Sequence, residues 1–482
     1  MTKINWNFDN TYSSLPNSFR EYINPVPVKN PQLILFNEKL ASELSLNISK
    51  LDKKEISKIF SGNLLPEGSN SIAQAYAGHQ FGHFTMLGDG RAVLLGEHKS
   101  NKKKYDIQLK GSGKTAFSRN GDGRAALGPM LREYIISEAM NSLNISTTRS
   151  LAVVKTGENV IREEPLPGAI LTRIASSHIR VGTFQYVSAR KNLKELNILL
   201  NYSIERHYPK IKSSKNKSLE LLDTLIERQC DLVVDWMRVG FIHGVMNTDN
   251  MTISGETIDY GPCAFMDTYD PKTVFSSIDQ MGRYAYCNQP AITKWNLARF
   301  AECLIPLIDD NQNKALELAT ERINSFEKKY EEKWLNMMRN KLGIFKADDK
   351  DRVLIIDLLT WMHQNKADYT NTFCHLMSKE TKKDKVYNDK NFLNWKKRWK
   401  ERLSINDIKS KKYLDLMKKV NPLVIPRNHK VEEVLKSADK GNLEPIYELL
   451  KILSKPYTEQ KDITDFQYPI NLSKKYQTFC GT

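Results

Sequence analysis

Two copies of one pentapeptide flank a glycine-rich loop: Gly88-Asp-Gly-Arg-Ala92 and Gly121-Asp-Gly-Arg-Ala125, with Lys110-Gly-Ser-Gly-Lys114 between them. Glycines let a backbone approach phosphate oxygens closely, and arginine and lysine side chains donate charge-assisted hydrogen bonds to the same oxygens. The pattern predicts a site for a phosphate-rich ligand such as a nucleotide. Two hairpin turns of similar composition are the alternative, which is less favoured because both pentapeptides fall within one basic window.

Composition is that of a globular protein with a basic surface. The chain has 482 residues, of which 40% are hydrophobic, and a length of this kind holds about two to four domains or one large elaborated domain. Lysine and arginine number 72 against 56 acidic residues, which gives a net charge of +16. This charge favours an anionic partner, although a lysine-rich solvated surface explains it equally well.

Several sequence features predict a cytoplasmic protein that does not associate with membranes. No apolar run approaches the length of a membrane-spanning helix, and the N-terminus lacks the form of a signal peptide. The six cysteines are widely spaced and include no Cys-x-x-Cys pair, as expected in a reducing compartment. Trp395, Trp399 and Leu403 share one helical face and are predicted to be core anchors, so we expect no stable nucleic-acid complex.

Periodicity divides the chain into a strand-rich part and a helical part. Short apolar runs after Arg91 predict strands, and residues 129–143 follow with helical spacing and a proline in the first turn. From about Leu193 the pattern is mainly helical, with an amphipathic helix over Leu221–Val239 that Gly240 can end.

A strand that ends in Lys110, followed by a helix that carries Glu133, is typical of the two-lobed kinase arrangement. In kinases a strand lysine contacts nucleotide phosphates, and a helix glutamate orients that lysine through an ion pair. A Lys–Glu pair alone is weak evidence, since any surface helix offers a glutamate.

A second kinase-like pattern lies in Phe241-Ile-His-Gly-Val-Met-Asn-Thr-Asp-Asn250. It aligns with the catalytic-loop pattern His-Arg-Asp-x-x-x-x-Asn, so that His243 takes the first position and Asn250 the last. Val245 stands where kinases have the catalytic aspartate and cannot accept a proton. Asp249 is the nearest replacement carboxylate.

Nine residues after Asn250, the tripeptide Asp259-Tyr-Gly261 resembles the Asp-Phe-Gly of kinases. An asparagine amide oxygen and an aspartate carboxylate are hard donors that suit Mg²⁺ bridging nucleotide phosphates. Each residue alone could instead form a turn or cap a helix. Together with the Lys110–Glu133 pair in the same order, they favour a nucleotide site.

These stretches make the sequence similar, over nearly its whole length, to the selenoprotein O family of kinase-fold proteins. The resemblance implies an enzyme that binds ATP in an inverted orientation and transfers AMP to Ser, Thr or Tyr of other proteins. The matching stretches are Tyr76-Ala-Gly-His-Gln-Phe-Gly-His83, Leu87-Gly-Asp-Gly-Arg91, Gln108-Leu-Lys-Gly-Ser-Gly-Lys-Thr115, Gly121-Asp-Gly-Arg-Ala125, His243-Gly-Val-Met-Asn-Thr-Asp-Asn250 and Asp259-Tyr-Gly-Pro262.

The resemblance also assigns roles to individual residues, with ATP as the substrate and Mg²⁺, or alternatively Mn²⁺, as the metal. Asp249 is implied as the proton acceptor, and Asn250 and Asp259 as the metal ligands. Lys110 is implied to contact phosphates and to pair with Glu133, and Arg173 and Arg180 to neutralise the terminal phosphates. The other implied ATP-binding residues are Gly88, Gly90, Arg91, Asp122, Gly123 and Asp259.

Cys480 stands third from the C-terminus, where many eukaryotic members of this family carry selenocysteine. The resemblance therefore leaves a redox role open for this thiol. Cys263, just after Asp259-Tyr-Gly-Pro262, is a candidate disulfide partner that would tie the tail to the active site.

The fold expected from these patterns is α+β, a two-lobed protein-kinase-like fold with an N-terminal extension and a large helical C-terminal region. The expected divisions are an extension (1–75), an N-lobe-like nucleotide-binding region (76–192), a C-lobe-like catalytic region (193–320) and a helical region (321–482). We expect a monomer that acts on protein substrates. A γ-phosphoryl-transferring kinase and a non-catalytic nucleotide-sensing scaffold or nucleic-acid binder are the alternative functions.

Overall fold

The computed structural model describes residues 4–48, 51–378, 385–405, 410–461, 463–470 and 476–479. The strands are β1 (Arg20–Tyr22), β2 (Gln32–Phe36), β3 (Ile72–Gln74), β4 (Ala77–Gln80), β5 (His83–Met86), β6 (Ala92–Ser100), β7 (Lys103–Lys110), β8 (Ala125–Ala126), β9 (Arg149–Ile161), β10 (Pro165–Ala175), β11 (Phe241–Ile242) and β12 (Ala264–Phe265). The α-helices are α1 (Glu38–Glu43), α2 (Lys53–Phe60), α3 (Leu127–Ser142), α4 (Val181–Ala189), α5 (Leu193–His207), α6 (Lys217–Val239), α7 (Gln289–Ile308), α8 (Gln312–Lys341), α9 (Asp351–Gln364), α10 (Tyr369–Met377), α11 (Lys390–Ser404), α12 (Ser410–Val420), α13 (Asn428–Asp439), α14 (Glu444–Leu453) and α15 (Thr464–Gln467).

An antiparallel sheet forms the first lobe, with the strand order β1-β3-β6-β7-β10-β9-β2 and β8 paired to β10. Its two edge strands come from the first 75 residues, so the N-terminal segment completes the sheet. The strands β4 and β5 form a separate hairpin, and β11 and β12 form another small antiparallel pair. The predicted domain boundaries remain predictions.

Helix α3 packs across β9 and β10, and this contact places its glutamate opposite the central strand β7. Leu131 and Ile135 of α3 are fully buried with Val153 and Leu171 of the two strands. In β7, Lys110 lies opposite Ala92 of β6 and Leu171 of β10, at the end of the strand. The helix predicted over 129–143 is confirmed, with a start two residues earlier.

Helix α6 is the axis of the second lobe, where it packs against α7 and α8. It begins before the predicted residue Leu221, because the Asn216 side chain accepts a hydrogen bond from the Leu219 amide and caps the helix at Lys217. Gly240 ends the helix in the left-handed conformation (φ 72°), as its position in the sequence predicts. The chain then enters the loops that carry the predicted site.

The C-terminal helices complete the second lobe and return to the first. Trp395 and Trp399 are buried with their rings stacked 6.0 Å apart, and their indole N–H groups donate to the carbonyls of Leu354 and Leu342. They are core anchors, as predicted from their spacing. Helices α13 and α14 pack against α3. Among the described helices, none combines the length and the apolar character needed to cross a bilayer.

Candidate active site

A cleft of about 1090 Å³ lies between the first lobe and the loops that follow α6. We call it the inner cavity. Strand β7 and helix α3 line one side, and the loops around residues 245–250 and 259–262 line the other. The cleft brings together nine of the residues predicted from the sequence: Gly90, Arg91, Lys110, Glu133, Arg173, Arg180, Asp249, Asn250 and Asp259.

Three cationic side chains, Lys110, Arg173 and Arg180, converge on the carboxylate of Asp259, and we call them the cation cluster. Lys110 Nζ lies 2.8 Å and Arg173 Nη1 2.6 Å from Asp259 Oδ1. Arg180 Nη1 lies 3.0 Å from Asp259 Oδ2. Lys110 also bonds to Glu133 Oε2 at 2.6 Å, so the strand lysine and the helix glutamate form the ion pair of the kinase arrangement.

The charges of this cluster are almost completely removed from water. Lys110, Arg173 and Arg180 are each 5% exposed or less. Buried cations need anionic partners, because desolvation of an unpaired charge costs several kcal/mol or more. Burial alone raises the pKa of Asp259, but the three cations hold that pKa well below its ordinary value. The arrangement is a preformed receptor in which anionic oxygens meet fixed cationic donors.

Two polar residues behind the cation cluster fix the directions of its guanidinium groups. Gln108 Oε1 accepts from Arg173 Nη2 at 2.7 Å, and Gln108 Nε2 donates to Asp89 Oδ2 at 3.1 Å. Asp89 is buried 3.9 Å from Arg180 Nη2, and burial raises its pKa to about 6. On the other side, Arg180 lies over the ring of Tyr76, 4.4 Å from its centroid.

The sequence held a signal for one of these supporting residues. Gln108 stands two positions before Lys110 in a strand, where alternate side chains share one face. Asp89 lies inside the first pentapeptide, but nothing in the sequence indicated that it would face Arg180.

We call the stretch from His243 to Asn250 the catalytic loop, after the kinase pattern with which it aligns. His243 is buried, and its Nε2 lies 2.9 Å from the carbonyl of Ile258, so it ties this loop to the residue before Asp259. Asn250 Nδ2 donates to the Val245 carbonyl at 2.9 Å. Asp259 itself has φ 62°, a left-handed conformation unusual outside glycine, of the kind found at functional sites.

Asp249 lies in the short 3₁₀ turn of the catalytic loop and is only 7% exposed. Burial raises the pKa of this carboxyl to about 6. Its two oxygens accept hydrogen bonds from Gln80 Nε2 at 3.2 and 3.1 Å. Its backbone carbonyl accepts from Arg180 Nη1 at 2.9 Å, which connects the loop to the cation cluster.

The β4–β5 hairpin, for which no role was predicted from the sequence, packs on the catalytic loop. The amide of His79 donates to Thr248 Oγ1 at 2.8 Å, and Thr248 donates to Gln185 Oε1 at 2.6 Å. Gln185 Nε2 in turn lies 2.8 Å from His79 Nδ1, which closes a ring of hydrogen bonds. The amide of Phe81 donates to Asn247 Oδ1 at 3.1 Å.

A second cleft of about 750 Å³, the outer cavity, adjoins the inner one. The two share Tyr76, Gly90 and Arg91 in their walls. The outer cavity also contains the remaining residues predicted to bind ATP, which are Gly88, Asp122 and Gly123. The two pentapeptides therefore line one continuous space with the cation cluster at its inner end.

Glycine is required at two positions in the wall of the outer cavity. Gly88 has φ 152°, and a Cβ there would lie 2.5 Å from the ring of Phe117. Gly123 has φ 68°, and a Cβ there would lie 2.5 Å from the amide nitrogen of Lys114. The left-handed backbone and the close approach both exclude larger residues.

The donors at the predicted metal site are few. Among the described residues, no three histidine, cysteine, aspartate or glutamate side chains form a group that could hold a metal ion. The amide nitrogen of Asn250 is bonded to Val245, which leaves its amide oxygen as the atom that a cation would contact. Mg²⁺ at nucleotide sites usually takes one or two ligands from the protein, and phosphate oxygens and water supply the others. The Asn250 amide oxygen and the ionised Asp259 carboxylate fit this number of protein ligands.

The last described segment, residues 476–479, runs along the inner cavity. Thr478 pairs with Ser276, and its hydroxyl donates to the Pro262 carbonyl at 2.7 Å. Cys263 is buried, and its carbonyl accepts from Arg132 at 2.6 Å. Cys480 lies outside the described residues, so its pairing with Cys263 remains a prediction.

Comparison with known proteins gives consistent matches over the full chain. The family described as protein adenylyltransferase SelO matches residues 2–454. A protein nucleotidyltransferase YdiU of Pelagibacter ubique is 63% identical over 481 residues, which cover 99% of this chain and 100% of the relative. Proteins of the same name from Nitrosococcus oceani (54% identical; 99% of this chain, 98% of the relative) and Bacillus cereus strain AH187 (53%; 100% of both) are also similar.

The packing of the β4–β5 hairpin on Asp249 predicts that Gly78 cannot be enlarged. A Cβ at Gly78 would lie 2.7 Å from Asp249 Cγ, whereas a Cβ at Gly128 in α3 would have no neighbour within 4 Å. We expect Gly78→Ala to lower the free energy of unfolding by about 1–3 kcal/mol through overpacking. Gly128→Ala should leave it unchanged or raise it by about 0.5–1 kcal/mol, since alanine favours helix. Denaturant unfolding measures the free energy of unfolding of both variants. Equal free energies for Gly78→Ala and Gly128→Ala would contradict the prediction.

Proposed function

The chain belongs to the SelO family of protein adenylyltransferases, and on that premise we propose that it transfers AMP from ATP to Ser, Thr or Tyr hydroxyls of other proteins. The observation that carries the proposal is the cation cluster at the closed, inner end of the cleft. Its charge suits the terminal phosphates of ATP, which are the most strongly anionic part of that molecule.

Binding of the terminal phosphates in the cation cluster would exchange one set of anions for another. In the structure, Asp259 accepts hydrogen bonds from Lys110, Arg173 and Arg180. Phosphate oxygens can replace that carboxylate, because they accept the same charge-assisted hydrogen bonds in the same buried site. Lys110 keeps its bond to Glu133 during the exchange and so stays oriented. Asp259 is then released to act as a metal ligand.

The outer cavity supports the reversed orientation of the nucleotide. With the terminal phosphates at the cation cluster, the nucleoside extends past Gly90 and Arg91 into the outer cavity. Gly88, Asp122 and Gly123 then lie along the nucleoside. This direction leaves the α-phosphorus between the two cavities, open to a hydroxyl from a protein substrate.

Asn250 and Asp259 are the residues that would hold Mg²⁺ at this site. The ion would supply positive charge to the phosphate oxygens and to the departing pyrophosphate. Arg173 and Arg180 add fixed positive charge at the terminal phosphates, where the pyrophosphate gains negative charge as it leaves.

Asp249 is the proposed proton acceptor. The hydroxyl oxygen of the substrate forms a bond to the α-phosphorus, the bond from that phosphorus to the pyrophosphate oxygen breaks, and the hydroxyl proton passes to the Asp249 carboxylate. Asp249 lines the inner cavity, and the adjoining Asn250 is the predicted metal ligand. A positioned carboxylate of this kind contributes about 10²–10⁴-fold to a rate.

The two alternative functions find less support. A γ-phosphoryl-transferring kinase needs an acceptor aspartate at the position that Val245 occupies, and the γ-phosphate would have to face the substrate instead of the cation cluster. A non-catalytic scaffold or nucleic-acid binder agrees with the charge of +16, but not with the similarity to transferases over the full chain.

The position of the label distinguishes adenylyl from phosphoryl transfer. We expect a protein substrate incubated with this enzyme and Mg²⁺ to retain label from ATP labelled at the α-phosphorus, and none from ATP labelled at the γ-phosphorus, because pyrophosphate leaves. Mass spectrometry of the product should show an adenylyl adduct. Label from the γ-position, with a bare phosphate adduct, would instead support the kinase alternative.

The two lysines of Lys110-Gly-Ser-Gly-Lys114 provide a matched pair of variants. Lys110 is buried in the cation cluster, whereas Lys114 is exposed. We expect Lys110→Met to lower kcat/KM for adenylyl transfer by about 100-fold or more, the usual cost of removing one preorganised donor. Lys114→Met should retain activity near that of the unmodified protein. Equal losses in the two variants, measured with saturating protein substrate, would contradict the assignment.

A further inference from the structure

The carboxylate of Asp249 is held by a side chain of the β4–β5 hairpin. Gln80 Nε2 lies 3.2 Å from Oδ1 and 3.1 Å from Oδ2, so one amide group bonds to both oxygens. Gln80 is the last residue of β4 and follows His79, which bonds to the catalytic loop. The Gln80 side chain also lines the inner cavity. Among the described residues, no other side chain is recorded as donating to this carboxylate.

The position of Asp249 in the chain explains why such support is needed. In the kinase pattern the acceptor aspartate stands at the place of Val245, four residues earlier. Here the carboxylate comes from a short 3₁₀ turn, and a 3₁₀ turn has poorer hydrogen-bond geometry than an α-helix. The turn therefore depends on outside contacts to fix the rotamer of its aspartate.

The β4–β5 hairpin is itself anchored on both sides of Gln80. Its neighbour His79 is held in the hydrogen-bonded ring with Thr248 and Gln185, and its neighbour Phe81 bonds to Asn247 through the backbone. These contacts fix the backbone of Gln80 relative to the catalytic loop. Its side chain therefore starts close to Asp249, to which its amide bonds.

Gly78, two residues before Gln80 in β4, packs closely against the same carboxylate. Only a hydrogen atom fits between this residue and Asp249, since an added Cβ would clash with the carboxylate. The carboxylate is thus confined by close packing against Gly78 and by the Gln80 amide, both from β4.

We propose that Gln80 is a positioning residue, which orients the Asp249 carboxylate toward the acceptor hydroxyl of the protein substrate. The inference rests on the proposed function, because it assumes that Asp249 accepts the proton. Gln80 takes no proton and binds no phosphate, so its loss should slow transfer while ATP still binds. The orientation of the acceptor group is then set by the β4–β5 hairpin, which is distant from the catalytic loop in the sequence.

Gln80→Met tests the proposal, because methionine has a similar length and cannot donate the hydrogen bonds. Misplacement of a reacting group by about 1 Å costs up to about 10²-fold, so we expect kcat for adenylyl transfer to fall by about 10–100-fold. KM and the Kd of a non-hydrolysable ATP analogue should be unchanged. Thr85→Val, on β5 of the same hairpin, is the control and should behave like the unmodified protein, since among the described residues the Thr85 hydroxyl bonds to the His83 carbonyl of its own hairpin.

A double-mutant cycle with Asp249→Asn separates positioning from general destabilisation. If Gln80 acts through Asp249, the Gln80→Met change should have little further effect on kcat in the Asp249→Asn background. Three outcomes would each overturn the proposal. The first is that Gln80→Met lowers kcat by the same factor with and without Asp249→Asn. The others are a parallel fall in ATP-analogue affinity and thermal stability, and an unchanged kcat for Gln80→Met. An Asp249→Asn variant with full activity would instead overturn the proposed proton acceptor, so the two failures are distinguishable.

Discussion

Lys110, Arg173 and Arg180, each almost fully buried, share the carboxylate of Asp259. Three cations so close together repel one another, and burial strengthens that repulsion. The protein tolerates them because Asp259 and Glu133 supply opposing charge at hydrogen-bonding distance. Much of the surrounding architecture, from the end of β7 to the glutamate of α3 and the loop before Asp259, serves to bring these groups together.

The same cluster links the two lobes. Arg180 bonds to the Asp259 carboxylate and to the backbone carbonyl of Asp249, and it lies over the ring of Tyr76. Tyr76 directly precedes the β4–β5 hairpin, which packs on the catalytic loop. One guanidinium group therefore contacts the anion site, the turn that carries the proposed proton acceptor, and the start of the hairpin that supports this turn. An anion that displaces Asp259 from Arg180 would therefore affect the anion site, the turn that carries Asp249 and the start of the hairpin together.

Much of the fold could be predicted from the sequence, because its signals are local. The period of apolar residues and the flanking Pro129 and Gly240 predicted α3 and α6, and the spacing of Trp395 and Trp399 predicted a buried face. The order of Lys110, Glu133 and the catalytic loop along the chain matched the order of the corresponding residues in kinases, and so indicated the candidate site residues. The resemblance to a family supplied the remaining roles, including the reversed orientation of the nucleotide.

What the sequence did not reveal is which polar groups from distant parts of the chain meet in the folded protein. Gln80 and Asp249 are 169 residues apart, and Gln108 and Asp89 gain their roles only when strands and loops bring them to Arg173 and Arg180. A glutamine in a strand has many potential partners, and no local pattern selects one. The edge strands β1 and β2 were missed for a related reason, since short strands in a proline-rich segment have little periodicity.

A crystal structure with a non-hydrolysable ATP analogue and Mg²⁺ tests the central claim most directly. The account predicts that the terminal phosphate lies within hydrogen-bonding distance of Lys110, Arg173 and Arg180, with the nucleoside in the outer cavity and the α-phosphorus facing Asp249. An adenine ring among Arg173 and Arg180, with the terminal phosphate directed outward, would contradict it.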